Sequence, residues 1–169
     1  AFRLEGCVFD NAKKWGLAIH DTCHGLVRGC VVAGAQHAGV ALEEGSECWN
    51  AFENNFVSGV QESGWWCQST MNYWRDNVVA NCKDAFYFTP NLAASLVFDV
   101  PAFPGDRNRS DVVRWVTQPL LDFSNNEGYA CRSVVYLDPR KGGRDRGGFR
   151  LRNPRAWAGW GNVDYGSAV

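Results

Sequence analysis

No apolar run in this chain approaches the roughly 18 residues that a membrane-spanning helix requires. There is no excess of either charge: 17 Lys plus Arg stand against 18 Asp plus Glu, a net charge of -1. The chain as a whole therefore has no general attraction for nucleic acid or an anionic membrane, and partner choice must be local. The opening residues AFRLEGCVFD lack the basic start and apolar stretch of a secretory signal. Any targeting signal or anchor is expected outside this chain, with no direct membrane insertion by this segment. The opening also reads as the middle of a strand, and the expectation is a piece of a longer polypeptide. The Leu-x-x-Leu-x-Leu signature of leucine-rich repeats is missing, which removes the main competitor for the repeat described next.

What is present is a repeat. Ala1-FRLEGCVFDN, His24-GLVRGCVVAG, Trp49-NAFENNFVSG and Met71-NYWRDNVVAN align column by column at intervals of 22 to 25 residues. One column holds Leu4, Val27, Phe52 and Trp74, and the next holds Glu5, Arg28, Glu53 and Arg75. A second strand set, Gly16-LAIH, Gly39-VALE, Gly64-WWCQ and Ala85-FYFT, shares the period. Alternation puts Leu17 and Ile19, Val40 and Leu42, Trp65 and Cys67, and Phe86 and Phe88 on the core face. Short strands at this period, with Gly or Asn at the corners, predict an all-β, right-handed parallel β-helix, a fragment of a longer solenoid. Residues 1–89 form its coils. Residues 90–120, with four prolines, form an inserted excursion, and 121–169 hold a resumed coil at Leu121-DFSNNEGYAC and a tail rich in Arg, Gly and Trp.

Stacked coils turn columns into ladders about 4.8 Å apart. Asn55 and Asn77 should form an asparagine ladder at a turn, with Asn126 joining them. The alternating Glu5, Arg28, Glu53 and Arg75 should form a solvated column without like-charge stacking. The same register places Cys7 with Cys30, Cys23 with Cys48 and Cys82 with Cys131, and predicts three disulfides, with Cys67 left as a buried thiol. Seven cysteines and eight tryptophans suit an oxidising, secretory compartment. The sequon Asn108-Arg109-Ser110, in a loop-like stretch, is the expected glycosylation site. The arginines from Arg140 to Arg155 read as a solvated edge, with a polyanion patch as the alternative.

Chemistry is expected on the outward polar column His20, Glu43, Gln68 and Thr89, with Asp21, Glu44 and Ser69 beside it and Trp66 and Tyr87 flanking it. Aromatic rings beside carboxylates and amides suit a sugar surface, so Glu43, Trp66, Gln68 and Tyr87 are the candidate ligand-binding residues. Were the site catalytic, Asp21 and Glu44 on neighbouring coils would supply an acid and a nucleophile, with His20 as an alternative base. A metal set of His20, Asp21, His24 and Glu43 is conceivable by residue type, but no metal and no cofactor is expected.

The run Ala18-Ile19-His20, Thr22 and His24, followed by Gln36-HAGVALEEGSE, Asn50, Phe52-Glu53 and Asn55, resembles the β-helix region of fibrocystin, fibrocystin-like proteins and the related cell-surface hyaluronidases. Glu44 stands where that pattern has Asp. The resemblance covers roughly residues 1 to 135 and implies a cell-surface location and a polysaccharide ligand. The favoured function is a structural or adhesive module of an extracellular or cell-surface protein that binds glycans or other subunits. A polysaccharide-degrading, hyaluronidase-like hydrolase or lyase is the alternative.

Overall fold

A computed structural model describes residues 1–89, 95–97, 112–114, 120–137 and 150–159. Its coils follow one another along the chain. The first holds β1 (Arg3–Glu5), β2 (Val8–Asp10) and β3 (Leu17–Ile19), and the second β4 (Leu26–Arg28), β5 (Val31–Ala33) and β6 (Val40–Leu42). The third holds β7 (Ala51–Glu53), β8 (Phe56–Ser58) and β9 (Ser63–Cys67), and the fourth β10 (Tyr73–Arg75), β11 (Val78–Ala80) and β12 (Asp84–Phe88). After an antiparallel pair, β13 (Ser95–Val97) and β14 (Val112–Arg114), a fifth coil holds β15 (Asp122–Ser124), β16 (Glu127–Tyr129) and β17 (Ser133–Leu137). Last come β18 (Leu151–Arg152) and β19 (Arg155–Trp157).

Each coil gives one strand to each of three parallel sheets. The first sheet runs β1-β4-β7-β10-β15-β18, the second β2-β5-β8-β11-β16-β19, and the third β3-β6-β9-β12-β17. This is a parallel β-solenoid, and its registers match the sequence columns: Leu4, Val27, Phe52, Trp74 and Phe123 are successive partners. The predicted core face is inside, with Val40, Leu42, Trp65, Cys67, Phe86 and Phe88 all buried. Phe52, Trp65, Trp74, Phe86, Phe88 and Phe123 interlock there at centroid distances of 4.9 to 6.3 Å.

The corner between the first two sheets explains why Gly, Asn and Asp recur there. Gly6, Gly29, Asn54, Asp76 and Asn125 all have φ between 53° and 61°, a left-handed conformation these residues reach most readily. The residue after each turns inward, and Asn55, Asn77 and Asn126 form the expected ladder. The Asn126 Oδ1 accepts the Asn77 backbone N–H at 3.0 Å, and the Asn77 Oδ1 accepts that of Asn55 at 3.1 Å. A second ladder, Asn50 over Asn72, stands at the third corner, where Asn72 Oδ1 accepts the Asn50 N–H at 2.9 Å. Outside, Arg28 and Arg75 reach Glu53 at 3.3 and 3.0 Å, as the alternating column predicts.

Two expectations need correction. The cysteine columns stack as predicted, but no sulfur pair stands at bonding distance: Cys23 and Cys48 are 2.6 Å apart between sulfurs and Cys82 and Cys131 3.3 Å, beyond the roughly 2.05 Å of a bond. Cys7 and Cys30 are also free, and register brings sulfurs together without supplying the oxidation that joins them. Thr89 and Ser69, expected on the outer surface, are buried. The Ser69 hydroxyl turns inward to the Glu47 carbonyl. The sequon at Asn108 and the arginines from Arg140 to Arg146 lie outside the described residues. Arg152 and Arg155 lie on β18 and β19, which pair with β15 and β16.

Candidate functional site

The outward residues of the third sheet bring the candidates together. Strand pairing aligns Ala18, Ala41, Trp66, Tyr87 and Tyr136 down one column. Tyr87 and Tyr136 stand 5.2 Å apart between ring centroids. Trp15, just before β3, lies 5.7 Å from Trp66 and 6.0 Å from His20, and so spans the coil between them. The aromatic surface of this column thus continues past Ala41, which is buried although it faces outward. Lys14 lies over the Trp15 ring at 3.5 Å. Trp15, Trp66 and Tyr87 form the floor of a groove of about 290 Å³, whose polar rim includes His37, Glu62 and Lys83.

One side of this stripe carries the polar column. His20 and Glu43 follow the paired residues Ile19 and Leu42, and Gln68 extends the column, its N–H donating to the Leu42 carbonyl. The His20 Nδ1 lies 2.7 Å from Glu44 Oε1 and 3.3 Å from Glu43 Oε2. The hydrogen bond to Glu44, aided by the charges of Glu43 and Glu47, raises the pKa of His20 against the opposing effect of burial. Burial acts to raise the Glu44 carboxyl, but the His20 contact and its other hydrogen bonds hold it below the usual carboxylate range.

Asp21 and Glu44 do not form the carboxyl pair the sequence suggested. Asp21 instead accepts the Ser46 hydroxyl at 2.7 Å, while Glu44 faces His20. His24 is also drawn away, stacked on Trp49 at 5.0 Å.

The residue that organises this corner is Glu47, which sequence reasoning overlooked as a site residue. Its carboxylate is fully buried and accepts the Glu44 N–H at 3.0 Å and the Asp21 N–H at 3.4 Å on one oxygen, and the Gly45 N–H at 3.0 Å on the other. One side chain thus ties together the loops that follow β3 and β6. The available signal was its place as the final acid of the Glu43-Glu44-Gly45-Ser46-Glu47 run. Trp15 was missed because it precedes its strand, where register gives no information.

Burial pushes the Glu47 carboxyl up to about 7, against the N–H groups that favour its charge. The folded protein therefore holds this proton more tightly than the unfolded chain, for which the ordinary value is 4.5. That contribution is complete below about pH 4.5 and is lost as pH rises towards about 7, on the order of 3 kcal/mol in all. Urea unfolding across this window should show the wild type losing stability relative to Glu47→Gln as pH rises. A wild-type stability that holds constant or rises relative to Glu47→Gln across this window would mean that the Glu47 carboxyl is not raised.

No protein-family model, curated protein or solved structure matches the chain, so the geometry of this face carries the functional reading.

Proposed function

We propose that the outer face of the third sheet is a polysaccharide-binding surface, and that the chain is a module of an extracellular or cell-surface protein. The observation that carries this is the in-register aromatic column Trp66, Tyr87 and Tyr136, extended by Trp15. Rungs of a parallel solenoid repeat at about 4.8 Å, comparable to the advance of one sugar ring along an extended polymer. Each ring offers an apolar face to the C–H side of a sugar, and the flanking Glu43, Gln68, Glu62 and Lys83 offer groups to hydroxyls and carboxylates. The surface is half-exposed and already shaped, so little ordering cost opposes binding. The resemblance to the cell-surface hyaluronidase group makes hyaluronan the first polymer to test.

Binding of hyaluronan and of neutral and uronate polysaccharides should be measured by affinity electrophoresis, with chain length monitored in parallel. Trp66→Ala and Tyr87→Ala are each expected to weaken binding about tenfold, equivalent to roughly 1.4 kcal/mol, while leaving the unfolding midpoint nearly unchanged. Absence of binding to every polymer, or binding indifferent to Trp66, would overturn the reading. Shortening of the polymer would instead favour the hydrolase or lyase alternative.

A further inference from the structure

We propose that His20, Glu43 and Glu44 form a binding site for a divalent transition metal of the zinc or manganese class, at the end of the aromatic stripe. Glu43 is shared with the polysaccharide surface, but the site does not rest on that reading, because its test involves no sugar.

The argument starts from convergence. One imidazole nitrogen and two carboxylate oxygens, from two adjacent coils, all lie within 4.8 Å of one another. Zinc binds nitrogen and oxygen ligands at about 2.0 to 2.2 Å, which places neighbouring ligand atoms of a tetrahedral or octahedral shell roughly 3 to 3.5 Å apart. The two His20 edges, 2.7 and 3.3 Å, fall at that scale, and the edge between the two carboxylates, within 4.8 Å, would close as the side chains turn onto the metal. The donors are an imidazole and two carboxylates, a set that suits zinc or manganese; calcium takes oxygen ligands only.

The surroundings hold these donors in place. The Thr22 hydroxyl donates to the His20 carbonyl at 2.6 Å. The buried Glu47 carboxylate fixes the Glu44 backbone and the adjoining Asp21 peptide, so both ligand-bearing loops share one anchor. Two carboxylates converge on a single imidazole here, with Lys14 4.0 Å from Glu43, and a divalent ion would take the place of the proton that His20 otherwise shares with them. His20 and Glu44 are exposed, so three protein donors would leave coordination positions open towards solvent. The geometry also revises the set conceivable from sequence: Glu44 replaces Asp21 and His24, which are engaged with Ser46 and Trp49.

Equilibrium dialysis of the full chain against zinc and manganese, with calcium as the comparison, tests the site. One transition-metal ion per chain is expected, with affinity at least about tenfold above that for calcium. His20→Ala and Glu44→Gln should each weaken it about tenfold or more, while Glu127→Gln, in the separate Arg155 pair, should leave it unchanged. Glu43→Gln provides an independent loss, and circular dichroism confirms that each variant keeps its strands. Stoichiometric binding that survives both His20→Ala and Glu44→Gln would overturn the assignment. So would no zinc or manganese binding by the wild type.

Discussion

Replacing Asn77 with alanine should cost about 4 kcal/mol of stability, because the side chain meets several buried needs at once. Its Oδ1 accepts the backbone N–H and the side-chain amide of Asn55, at 3.1 and 2.9 Å. Its Nδ2 donates to the Phe52 carbonyl and the Asn126 Oδ1, both at 2.9 Å. Asn55, Phe52, Asn77 and Asn126 are all buried, so water cannot replace what alanine removes. The Asn55 N–H and the Phe52 carbonyl are each left without this partner, at roughly 1 to 3 kcal/mol apiece. Because coils contact only their neighbours, the loss falls on the interfaces of the third, fourth and fifth coils together. Asn77→Asp should do no better, since it keeps the acceptor but sets oxygen against the Phe52 carbonyl and the Asn126 Oδ1. Urea denaturation is the measurement, and a cost under about 1 kcal/mol for both variants would mean that the ladder follows the turn without holding it.

That ladder could be read from the sequence because it depends only on register. Once Leu4, Val27, Phe52 and Trp74 are aligned, every residue at the same offset becomes a neighbour along the axis, and Asn55, Asn77, the charged column and the cysteine columns follow. The resumption at Phe123 followed in the same way. Asn50 and Asn72, in one column two residues before Phe52 and Trp74, did not stand out only because Phe2 and Gly25 hold that place in the earlier coils. Register is silent where coils differ in length, and residues between β6 and β7 outnumber those between β9 and β10. The candidate site suffers most from this. His20 and Glu43 are register partners and were placed correctly, as were Trp66 and Tyr87 on the outer face. Asp21 and Glu44 sit one residue further on, where Asp21 adopts φ 47° and the following loop turns through Gly45 at φ 92°. There a buried carboxylate, not the period, decides where side chains point. β18 and β19 were hidden for another reason: Arg152, Arg155 and Trp157 face solvent, and pairing there relies on the backbone.

The glycines before the third sheet carry the other large expected effect. Gly16, Gly39 and Gly64 stack in one column, and in the fourth coil the place is taken by Ala85. A methyl built on Gly39 would lie 2.3 Å from the Val57 Cγ1 and 2.8 Å from the Gly64 carbonyl. Val57 cannot retreat easily, being fully buried between its strand partners Val32 and Val79. The protein itself shows what tolerating a methyl requires. Opposite Ala85 the valine column gives way to Gly128, and a methyl built on that glycine would lie 3.2 Å from the Ala85 Cβ. Volume is thus exchanged across the corner between the second and third sheets, with valine facing glycine in three coils and glycine facing alanine in the fourth. Gly39→Ala should therefore cost about 3 kcal/mol, in the upper range for overpacking a well-filled core. Gly29→Ala is the reference, because a methyl there meets nothing within 4 Å and suffers only the left-handed backbone penalty of roughly 1 to 2 kcal/mol. Adding Val57→Ala to Gly39→Ala removes the closer contact but not the one with the Gly64 carbonyl, so a double-mutant cycle should show partial rescue. A Gly39→Ala cost no greater than that of Gly29→Ala, with no coupling to Val57, would mean that the corner yields and that valine opposite glycine is not a packing requirement.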